Sequence, residues 1–335
     1  MFDNKKILIT GGTGSLGQAL TKRLLAENVD NIRIFSRNEN NQILMRRMFP
    51  NEDKLRFHIG DIRDKERLLR SMNDVDIVFH TAALKHVDVV EYNPFEAVNT
   101  NVLGTQNIID VCHELKVKVA IAIGTDKAVS PLNVYGATKL LTEKLFTSAS
   151  NYMDKIQYPT KFAAIRYGNV LGSNGSVVPR FAELIRLKKN IEITDREMTR
   201  FTITMEDALE FILSSMPKSK GADIFVPKLK AYNIMDLKDA LFEMLGETDY
   251  KITKIRPGEK LAEVLIGMDE MRNTMESDSD YIITQGIDDN DTLKKKYPTH
   301  KKVNERKMFS SDNVEKVSKK ELIEMIEPII NGNIL

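Results

Sequence analysis

Short apolar runs alternate with stretches of helical spacing through the first half of the chain. The runs typical of buried strands span residues 6–10, 32–36, 55–59, 76–81, 117–123 and 162–166. Helical patterns lie between them, the first over 15–28 and a long one over 94–115. Strands that alternate with helices predict right-handed βαβ units. The expected fold class is therefore α/β, with a doubly wound parallel sheet.

The pattern changes after Asn169. A turn-rich loop at 172–176 precedes an amphipathic run that begins at Pro179. Short strands then follow between helices, at 191–193, 223–226 and 250–255. This pattern predicts a smaller α/β lobe over the carboxyl edge of the sheet. We expect residues 1–170 to form the first domain, and residues 171–335 to form mainly this lobe, interleaved with the first.

Composition narrows the class of protein. The 335 residues are 42% hydrophobic and 29% charged, which is typical of a soluble globular protein. A formal net charge of +1 gives no reason to expect nucleic acid or an anionic membrane as a partner. Cys112 is the single cysteine, which excludes an internal disulfide and a Cys-rich zinc site. No apolar run approaches the roughly 20 residues of a membrane span, so we expect a cytoplasmic protein.

A glycine-rich turn follows the first predicted strand. Gly12, Gly14 and Gly17 fit the pattern G-x-G-x-x-G, and Gly11 with the last two fits G-x-x-G-x-x-G. Glycines let the backbone approach a pyrophosphate closely, and the following helix N-terminus favours its negative charge. The strand–turn–helix context predicts a Rossmann-type dinucleotide site.

The end of the second strand distinguishes the two nicotinamide dinucleotides. An acidic residue there would bind the ribose 2′-hydroxyl of NAD. The chain instead has Arg37, whose guanidinium suits a 2′-phosphate, so we expect NADP, with NAD the less favoured cofactor. Asp61, after the third strand, either reaches the adenine amino group or caps the next helix. Small residues at 81–83 suit a cofactor that passes close to the backbone.

A reactive cluster follows the fifth strand. Tyr135 and Lys139 are four residues apart and share one face of a helix. A tyrosine with a pKa of about 10 is a poor base, but a nearby ammonium and a positive nicotinamide favour the phenolate. Thr125 supplies a third polar group, and the pair Asp126–Lys127 follows it directly. The expected catalytic residues are therefore these five, and no histidine spacing implies a catalytic metal.

These stretches resemble the extended short-chain dehydrogenase/reductase superfamily, and within it the inverting UDP-N-acetylglucosamine 4,6-dehydratases. The shared stretches are 10–17 (TGGTGSLG), 80–86 (HTAALKH), 99–105 (NTNVLGT), 125–139 (TDKAVSPLNVYGATK), 166–179 (RYGNVLGSNGSVVP), 198–201 (MTRF), 256–263 (RPGEKLAE) and 308–313 (MFSSDN). Small departures are Leu16 for the usual phenylalanine, Gly124 for serine and Ala262 for histidine. The resemblance implies these cofactor-binding residues: Gly11, Thr13, Gly14, Ser15, Leu16, Gly17, Arg37, Asn38, Asp61, Ile62, Thr81, Ala82, Ala83, Thr100, Tyr135 and Lys139.

The resemblance also implies a mechanism. Retaining relatives carry Asp-Glu where this chain has Asp126–Lys127. Lys127 would remove the C5 proton and Asp126 would protonate the departing C6 hydroxyl, after C4 oxidation by Tyr135 with NADP. Lys127 must be partly neutral to act as a base, which Lys139 and the nicotinamide charge would promote. The product would be a UDP-4-keto-6-deoxy-N-acetylhexosamine with inverted C5, for surface glycans or nonulosonic acids such as pseudaminic acid.

The same resemblance implies the substrate contacts and the assembly. Residues expected to bind UDP-N-acetylglucosamine are Lys85, Asn169, Ser176, Val177, Val178, Arg180, Arg200, Arg256 and Glu259. The arginines suit a diphosphate because they bind it in a bidentate manner. For two of them, Arg200 and Arg256, surface ion pairs are the alternative. A homo-oligomer, such as a hexamer, is expected.

Three other functions remain open from the sequence. A UDP-hexose 4-epimerase would use Tyr135 and Lys139 but needs no elimination pair. A dehydratase that also epimerises C3 would give a different product. An NADP-sensing scaffold protein would bind the cofactor without turnover.

Overall fold

A ten-stranded sheet forms the centre of the computed structural model, which describes residues 1–151, 156–173, 175–286, 288–304 and 307–332. The strands are β1 (Lys6–Thr10), β2 (Asn31–Ser36), β3 (Leu55–Ile59), β4 (Ile77–His80), β5 (Val119–Ile123), β6 (Lys161–Ile165), β7 (Asn169–Val170), β8 (Ile191–Ile193), β9 (Thr199–Ile203), β10 (Asp223–Pro227), β11 (Ala231–Asn233), β12 (Tyr250–Ile252), β13 (Val264–Ile266), β14 (Thr274–Glu276), β15 (Asp280–Ile283), β16 (Lys301–Lys302) and β17 (Phe309–Ser310).

Helices cover the sheet and build the second lobe. They are α1 (Ser15–Leu25), α2 (Glu39–Met48), α3 (Lys65–Met72), α4 (Val87–Tyr92), α5 (Pro94–Ala97), α6 (Gly104–Glu114), α7 (Val134–Ala149), α8 (Val177–Arg186), α9 (Met205–Ser215), α10 (Ile234–Leu245), α11 (Met268–Met271), α12 (Asn290–Lys296) and α13 (Lys319–Ile330). Among the described residues, none of these helices has the length and apolar character needed to cross a membrane.

Seven strands of the central sheet are parallel, in the order β3-β2-β1-β4-β5-β6-β10. Strand β15 pairs antiparallel with β10, and β14 and β16 extend that edge. The order reverses between β1 and β4, where ligands bind in sheets of this kind. The predicted α/β class with a doubly wound parallel sheet is confirmed.

The strand predicted at 223–226 lies in the central sheet and not in the smaller lobe. As β10 it pairs with β6, where Asp223 lies opposite Ala163. All five residues of β10 are buried, which requires cover on both faces of the strand. A short apolar run does not reveal its strand partner, so the sequence could not place it.

The helix predicted over 94–115 is interrupted. A π-helical turn, Val98–Leu103, separates α5 from α6. The carbonyl of Asn101 accepts hydrogen bonds from the hydroxyls of Thr105, at 2.5 Å, and Thr142, at 2.8 Å. Its side-chain amide binds the backbone of Leu84 in both directions. These side-chain partners compete with regular α-helical bonding, and such turns often occur at functional sites.

The second lobe has its own apolar core. Helices α8, α10 and α13 pack on one another and enclose buried side chains such as Phe181, Leu237 and Leu322. The strand order β11-β9-β7 forms a small sheet, and β13 pairs with β17. Strands β9 and β13 belong to these pairings. They place residues of the second lobe next to the residues that follow β5.

Candidate active site

The glycine turn leaves the first helix open at its N-terminus. Gly14 is the N-cap residue of α1, and no side chain caps this end. A Cβ on Gly17 would lie 2.5 Å from Gly12, so only glycine lets the helix pack this closely on the turn. The helix N-terminus without a side-chain cap and the cradle without side chains fit the pyrophosphate of a dinucleotide.

One cleft of about 700 Å³ runs from this turn to the end of β5. Every predicted cofactor-binding residue and all five predicted catalytic residues line it. Lys85, Asn169 and Ser176, three of the predicted substrate contacts, line it as well. The cleft also includes residues that the sequence did not single out, such as Asn41, His86 and Tyr167. Asn41 lies outside the shared stretches, whereas His86 and Tyr167 lie inside the stretches 80–86 and 166–179 but received no role there.

The end of the cleft beside β2 and β3 carries charge of both signs. The guanidinium of Arg37 lies 3.9 Å from Asp61 and is about half exposed. Arg63 binds the same carboxylate at 2.7 Å. Burial raises the pKa of Asp61, but the Arg63 hydrogen bonds outweigh it and leave that pKa lowered. Asp64, not Asp61, is the N-cap of α3, so the capping alternative for Asp61 is wrong.

The other end of the cleft holds the Asp126–Lys127 pair. Thr125 ends the loop after β5, and its hydroxyl donates to Asp126 Oδ1 at 2.9 Å. Lys127 Nζ donates to the same oxygen at 3.0 Å. Asp126 is 1% exposed, and its Oδ2 has no hydrogen-bond partner among the described residues. A buried oxygen without a partner, beside a cleft, suits a bound polar ligand.

Lys127 is held in its charged form. Burial lowers its pKa, but the carboxylates of Asp126 and Glu263 outweigh burial and raise the pKa above its usual range. Glu263 Oε1 is 3.5 Å from Lys127 Nζ. The expectation that Lys139 promotes a neutral Lys127 is therefore wrong for the protein without ligands, because two carboxylates face this ammonium directly.

The pKa of Lys139 changes in the opposite direction. It is 5% exposed and donates to the carbonyl of Ile123. Burial lowers its pKa to about 8, although the Glu143 carboxylate opposes that change.

The pKa of Tyr135 is raised by burial. The charge of Lys127 and a hydrogen bond with Thr125 oppose this rise. The predicted lowering of the Tyr135 pKa by Lys139 is thus not found, since Lys127 is the ammonium that acts on the phenol.

A buried ion network lies behind Lys139. Arg166, fully buried, binds Glu143 at 2.6 Å and Glu270 at 2.9 Å. Glu143 and Lys139 both lie on α7, so the network fixes the helix that carries the predicted base. A Cβ on Gly124 would lie 2.3 Å from Glu143 Oε1. This contact explains why the chain accommodates glycine, and not the usual serine, at that position.

The remaining predicted substrate residues lie away from the cleft lining. Val178 is fully buried, and its side chain packs in the core of the second lobe. Arg180 and Arg256 are exposed. Arg200 is largely buried, and its guanidinium lies 3.8 Å from Glu259 and from Glu263, so it forms ion pairs but not at the surface as the alternative expected. Val177 begins α8 beside Ser176.

Glu263 is a site residue that received no role from the sequence. It lies in the stretch 256–263 that carried the resemblance, but only the fold brings it to Lys127. The signal that could have found it is a second glutamate, which closes a motif that also carries Arg256, Glu259 and Lys260.

The fold and cleft are those of a Rossmann-type protein in which the glycine-rich turn and the Tyr135–Lys139 pair line one cleft. The model of the family described as polysaccharide biosynthesis protein matches residues 7–285. This chain is 47% identical to an inverting UDP-N-acetylglucosamine 4,6-dehydratase of Campylobacter jejuni, over 97% of the chain and 98% of that protein. It is 38% identical to a UDP-glucose 4-epimerase of Rickettsia felis, over 97% of the chain and 96% of that protein.

The comparison with solved structures agrees with these sequence similarities. The chain is similar to Pen from Bacillus thuringiensis, with a TM-score of 0.90, 36% identity and complete coverage of both chains. The chain therefore belongs to the polysaccharide biosynthesis protein family, and the resemblance to inverting 4,6-dehydratases that its motifs suggested is confirmed.

Proposed function

We propose that the protein is a sugar-nucleotide 4,6-dehydratase that converts UDP-N-acetylglucosamine to a UDP-4-keto-6-deoxy-N-acetylhexosamine with inversion at C5. The observation that carries this proposal is the Asp126–Lys127 pair, in which the buried carboxylate and the partly buried amine are joined at 3.0 Å beside Tyr135 and Lys139 in one cleft. The 47% identity to the Campylobacter jejuni dehydratase supports the same reaction.

Tyr135 begins the reaction by taking the proton of the sugar 4-hydroxyl. A nicotinamide dinucleotide held along the glycine turn would supply the hydride acceptor for C4 and, later in the turnover, the hydride donor for C6. The raised pKa of Tyr135 keeps the phenol protonated in the free protein, so little of the phenolate base is present. A positive charge in the cleft, in addition to Lys127, therefore favours its phenolate. The C4 ketone then acidifies the C5 hydrogen.

The Asp126–Lys127 pair performs the elimination without a proton from solvent. Transfer of one proton across the 3.0 Å hydrogen bond gives a neutral amine and a carboxylic acid. The Lys127 amine takes the C5 proton, the Asp126 acid protonates the C6 hydroxyl, and the C6–O bond breaks to release water. The pair is then again an ammonium and a carboxylate. The proton that Tyr135 took balances the one that left with water.

Inversion follows when C5 receives a proton from the face opposite Lys127. The stereochemical result thus depends on an amine at 127, placed by the short helical turn Asp126–Ala128. A carboxylate at this position, as in retaining relatives, would present a different base to C5.

We also propose NADP as the cofactor, bound along the glycine turn with Arg37 and Asn38 at the 2′-phosphate. Arg37 is half exposed, and its pairing with Asp61 is long, so the guanidinium is free to turn to a phosphate. Arg37→Ala should weaken NADP+ binding about tenfold or more and leave NAD+ binding little changed. Calorimetry with the two cofactors measures this, and equal losses for both would favour NAD.

The test of the function is incubation with UDP-N-acetylglucosamine in deuterated water, followed by mass and proton NMR. We expect loss of one water, deuterium at C5 and an L-configured ring. Deuterium with a D-configured ring would keep the dehydration but remove the stereochemical role of Lys127. A product with altered C3 would indicate the additional epimerisation.

A second candidate function is UDP-hexose 4-epimerisation, which the name of the Rickettsia felis relative favours. In the same experiment, a C4 epimer of unchanged mass would establish it. Cofactor binding without any product would favour the sensing scaffold.

The cellular location, the pathway and the assembly of the enzyme are also proposals. We propose a cytoplasmic enzyme that supplies surface glycan or nonulosonic acid synthesis, which the polysaccharide biosynthesis family supports. A homo-oligomer is supported by the apolar side chains of Tyr92 and Phe95, which are 87% and 71% exposed on neighbouring helices. Light scattering of the purified protein tests this assembly.

A further inference from the structure

Glu263 is a buried carboxylate between two cations of the cleft wall. Its Oε1 lies 3.5 Å from Lys127 Nζ and 3.8 Å from Arg200 Nε. The side chain is 4% exposed, and Oε2 has no hydrogen-bond partner among the described residues. Burial of a carboxylate is costly unless cations compensate it, so the position of Glu263 depends on both neighbours.

The segment 308–313 fixes the backbone of Glu263. Ser311, fully buried, accepts from the Glu263 N–H through Oγ at 2.9 Å and donates its own N–H to the Glu263 carbonyl at 2.8 Å. Its hydroxyl also contacts the Thr199 hydroxyl at 2.8 Å. Thr199 precedes Arg200 on β9, so one serine ties together the backbones that carry Glu263 and Arg200.

Several charged or titratable groups face this pair from the surrounding elements. They are Asp126 on the short turn, Tyr135 on α7, Arg200 on β9, Tyr232 on β11, and Glu259 and Lys260 before β13. Only Asp126 and Glu263 form ion pairs with Lys127 among the described residues. Glu263 is thus a carboxylate in contact with Lys127 to which no proton transfer is assigned.

The charge of Glu263 favours the Lys127 ammonium, so its contribution to the elimination is to orient the nitrogen once the proton has moved to Asp126. When Lys127 becomes a neutral amine, Glu263 keeps Arg200 as its counter-ion and stays charged. It can then accept one N–H of the amine, which orients the nitrogen lone pair away from the wall. Asp126 is less suited to this purpose, because the acid that it becomes directs an O–H toward the amine and no longer carries the charge of a carboxylate.

We propose that Glu263 is a positioning residue for Lys127, and that Ser311 holds it in place. This inference rests on the proposed function and concerns one step of it, proton removal at C5. Oxidation at C4 uses Tyr135 and Lys139, neither of which forms a hydrogen bond or ion pair with Glu263 among the described contacts.

The experiment compares the two partial reactions in Glu263→Gln, Glu263→Asp and Ser311→Ala. Single turnovers with UDP-N-acetylglucosamine in deuterated water give the rate of reduced-nicotinamide formation, for C4, and the rate of deuterium entry, for C5. Glu263→Gln keeps the shape but removes the charge. We expect the C5 step to slow about tenfold or more, with C4 oxidation within about twofold, so that reduced cofactor accumulates.

The conservative variants sharpen the test. Glu263→Asp keeps the charge and should retain more of the C5 rate than Glu263→Gln. Ser311→Ala should slow the same step about threefold, and it carries the test if Glu263→Gln does not fold. Glu276→Gln, which makes the same change in an exposed pair with Lys228, is the control and should match the unmodified protein.

Two results would overturn the inference. Glu263→Gln with a normal C5 rate would show that Lys127 needs no second carboxylate, and an equal slowing of both steps would indicate a purely structural role. Absence of dehydration in the unmodified protein is a different result, because it refutes the proposed function itself.

Discussion

The surroundings of Lys127 and Lys139 differ in counter-charge more than in burial. Both amines lie at the same end of one cleft. Lys127 meets two carboxylates, and its pKa is raised. Lys139 meets a backbone carbonyl, and its pKa falls to about 8. The difference shows that the state of a buried lysine is decided by which anions are already engaged elsewhere, since Arg166 binds the Glu143 carboxylate near Lys139.

Among the variants that test this comparison, the largest expected effect is on the rate of the reaction. Lys127→Met should reduce water loss about 10³-fold, because no other amine takes the C5 proton, while C4 oxidation continues. Lys139→Met should instead slow C4 oxidation. Stopped-flow absorbance of the nicotinamide and product mass measure the two steps. If Lys127→Met slowed C4 oxidation equally, the two amines would not have separate functions.

A second change removes the cation that engages Glu143. Arg166→Met removes the cation that pairs with the buried Glu143 and the partly buried Glu270, and it should lower the free energy of unfolding by about 3–5 kcal/mol. Urea denaturation measures it. Arg272→Met is the matched control, because Arg272 pairs with Asp269 at the surface and should contribute at most about 1 kcal/mol. Similar losses in both variants would contradict the importance of the buried network.

The pH dependence of stability sharpens the comparison further. The pKa of Lys139 is about 8 in the folded protein and near its ordinary 10.5 in the unfolded chain. Between these values the unfolded chain binds more protons, so stability relative to Lys139→Met should rise with pH, by roughly 3 kcal/mol in all.

The stabilisation that Lys127 contributes should have the opposite sign. Its folded-state pKa is raised, so the contribution is complete below pH 10.5 and is lost at still higher pH. Urea titrations of Lys127→Met and Lys139→Met between pH 7 and 10.5 distinguish the two. A flat difference for Lys139→Met over this range would contradict the lowered pKa.

The smallest effect concerns the space beside Glu143. Gly124→Ala places a methyl group 2.3 Å from Glu143 Oε1 and should cost about 1–3 kcal/mol as the carboxylate moves from Arg166. Gly267→Ala is the control, because its Cβ would meet atoms no closer than 3.5 Å. Thermal unfolding measures both, and equal midpoints would show that the network can adjust.

The cofactor end of the cleft could be predicted because its residues follow strands directly. The turn at 11–17 and the small residues at 81–83 are local patterns whose positions the parallel sheet fixes. The π-helical turn was missed because the hydrophobic spacing continues through 98–103, and only the side-chain bonds to Asn101 reveal it. The NADP preference and the substrate contacts stay predictions.

At the end of the cleft that holds Lys127 and Lys139, the sequence predicted which residues lie together but not the direction of their pKa shifts. The sequence brings Lys127 and Lys139 near Tyr135, which suggested that both amines would influence the phenol. It does not show that Glu263 faces one lysine or that Arg166 engages Glu143 beside the other. Those contacts join distant parts of the chain, and they set the direction of each pKa.

The pairing of β13 with β17 has a consequence for the order of events during synthesis. Parallel strands β1 to β6 are complete in the growing chain well before Ser311 leaves the ribosome, and domains generally begin to fold from the N-terminus. The sheet and the glycine turn can therefore form while the wall that holds Glu263 is still missing. A nascent chain at that stage would have the proposed cofactor site but would lack the Glu263 contact to Lys127.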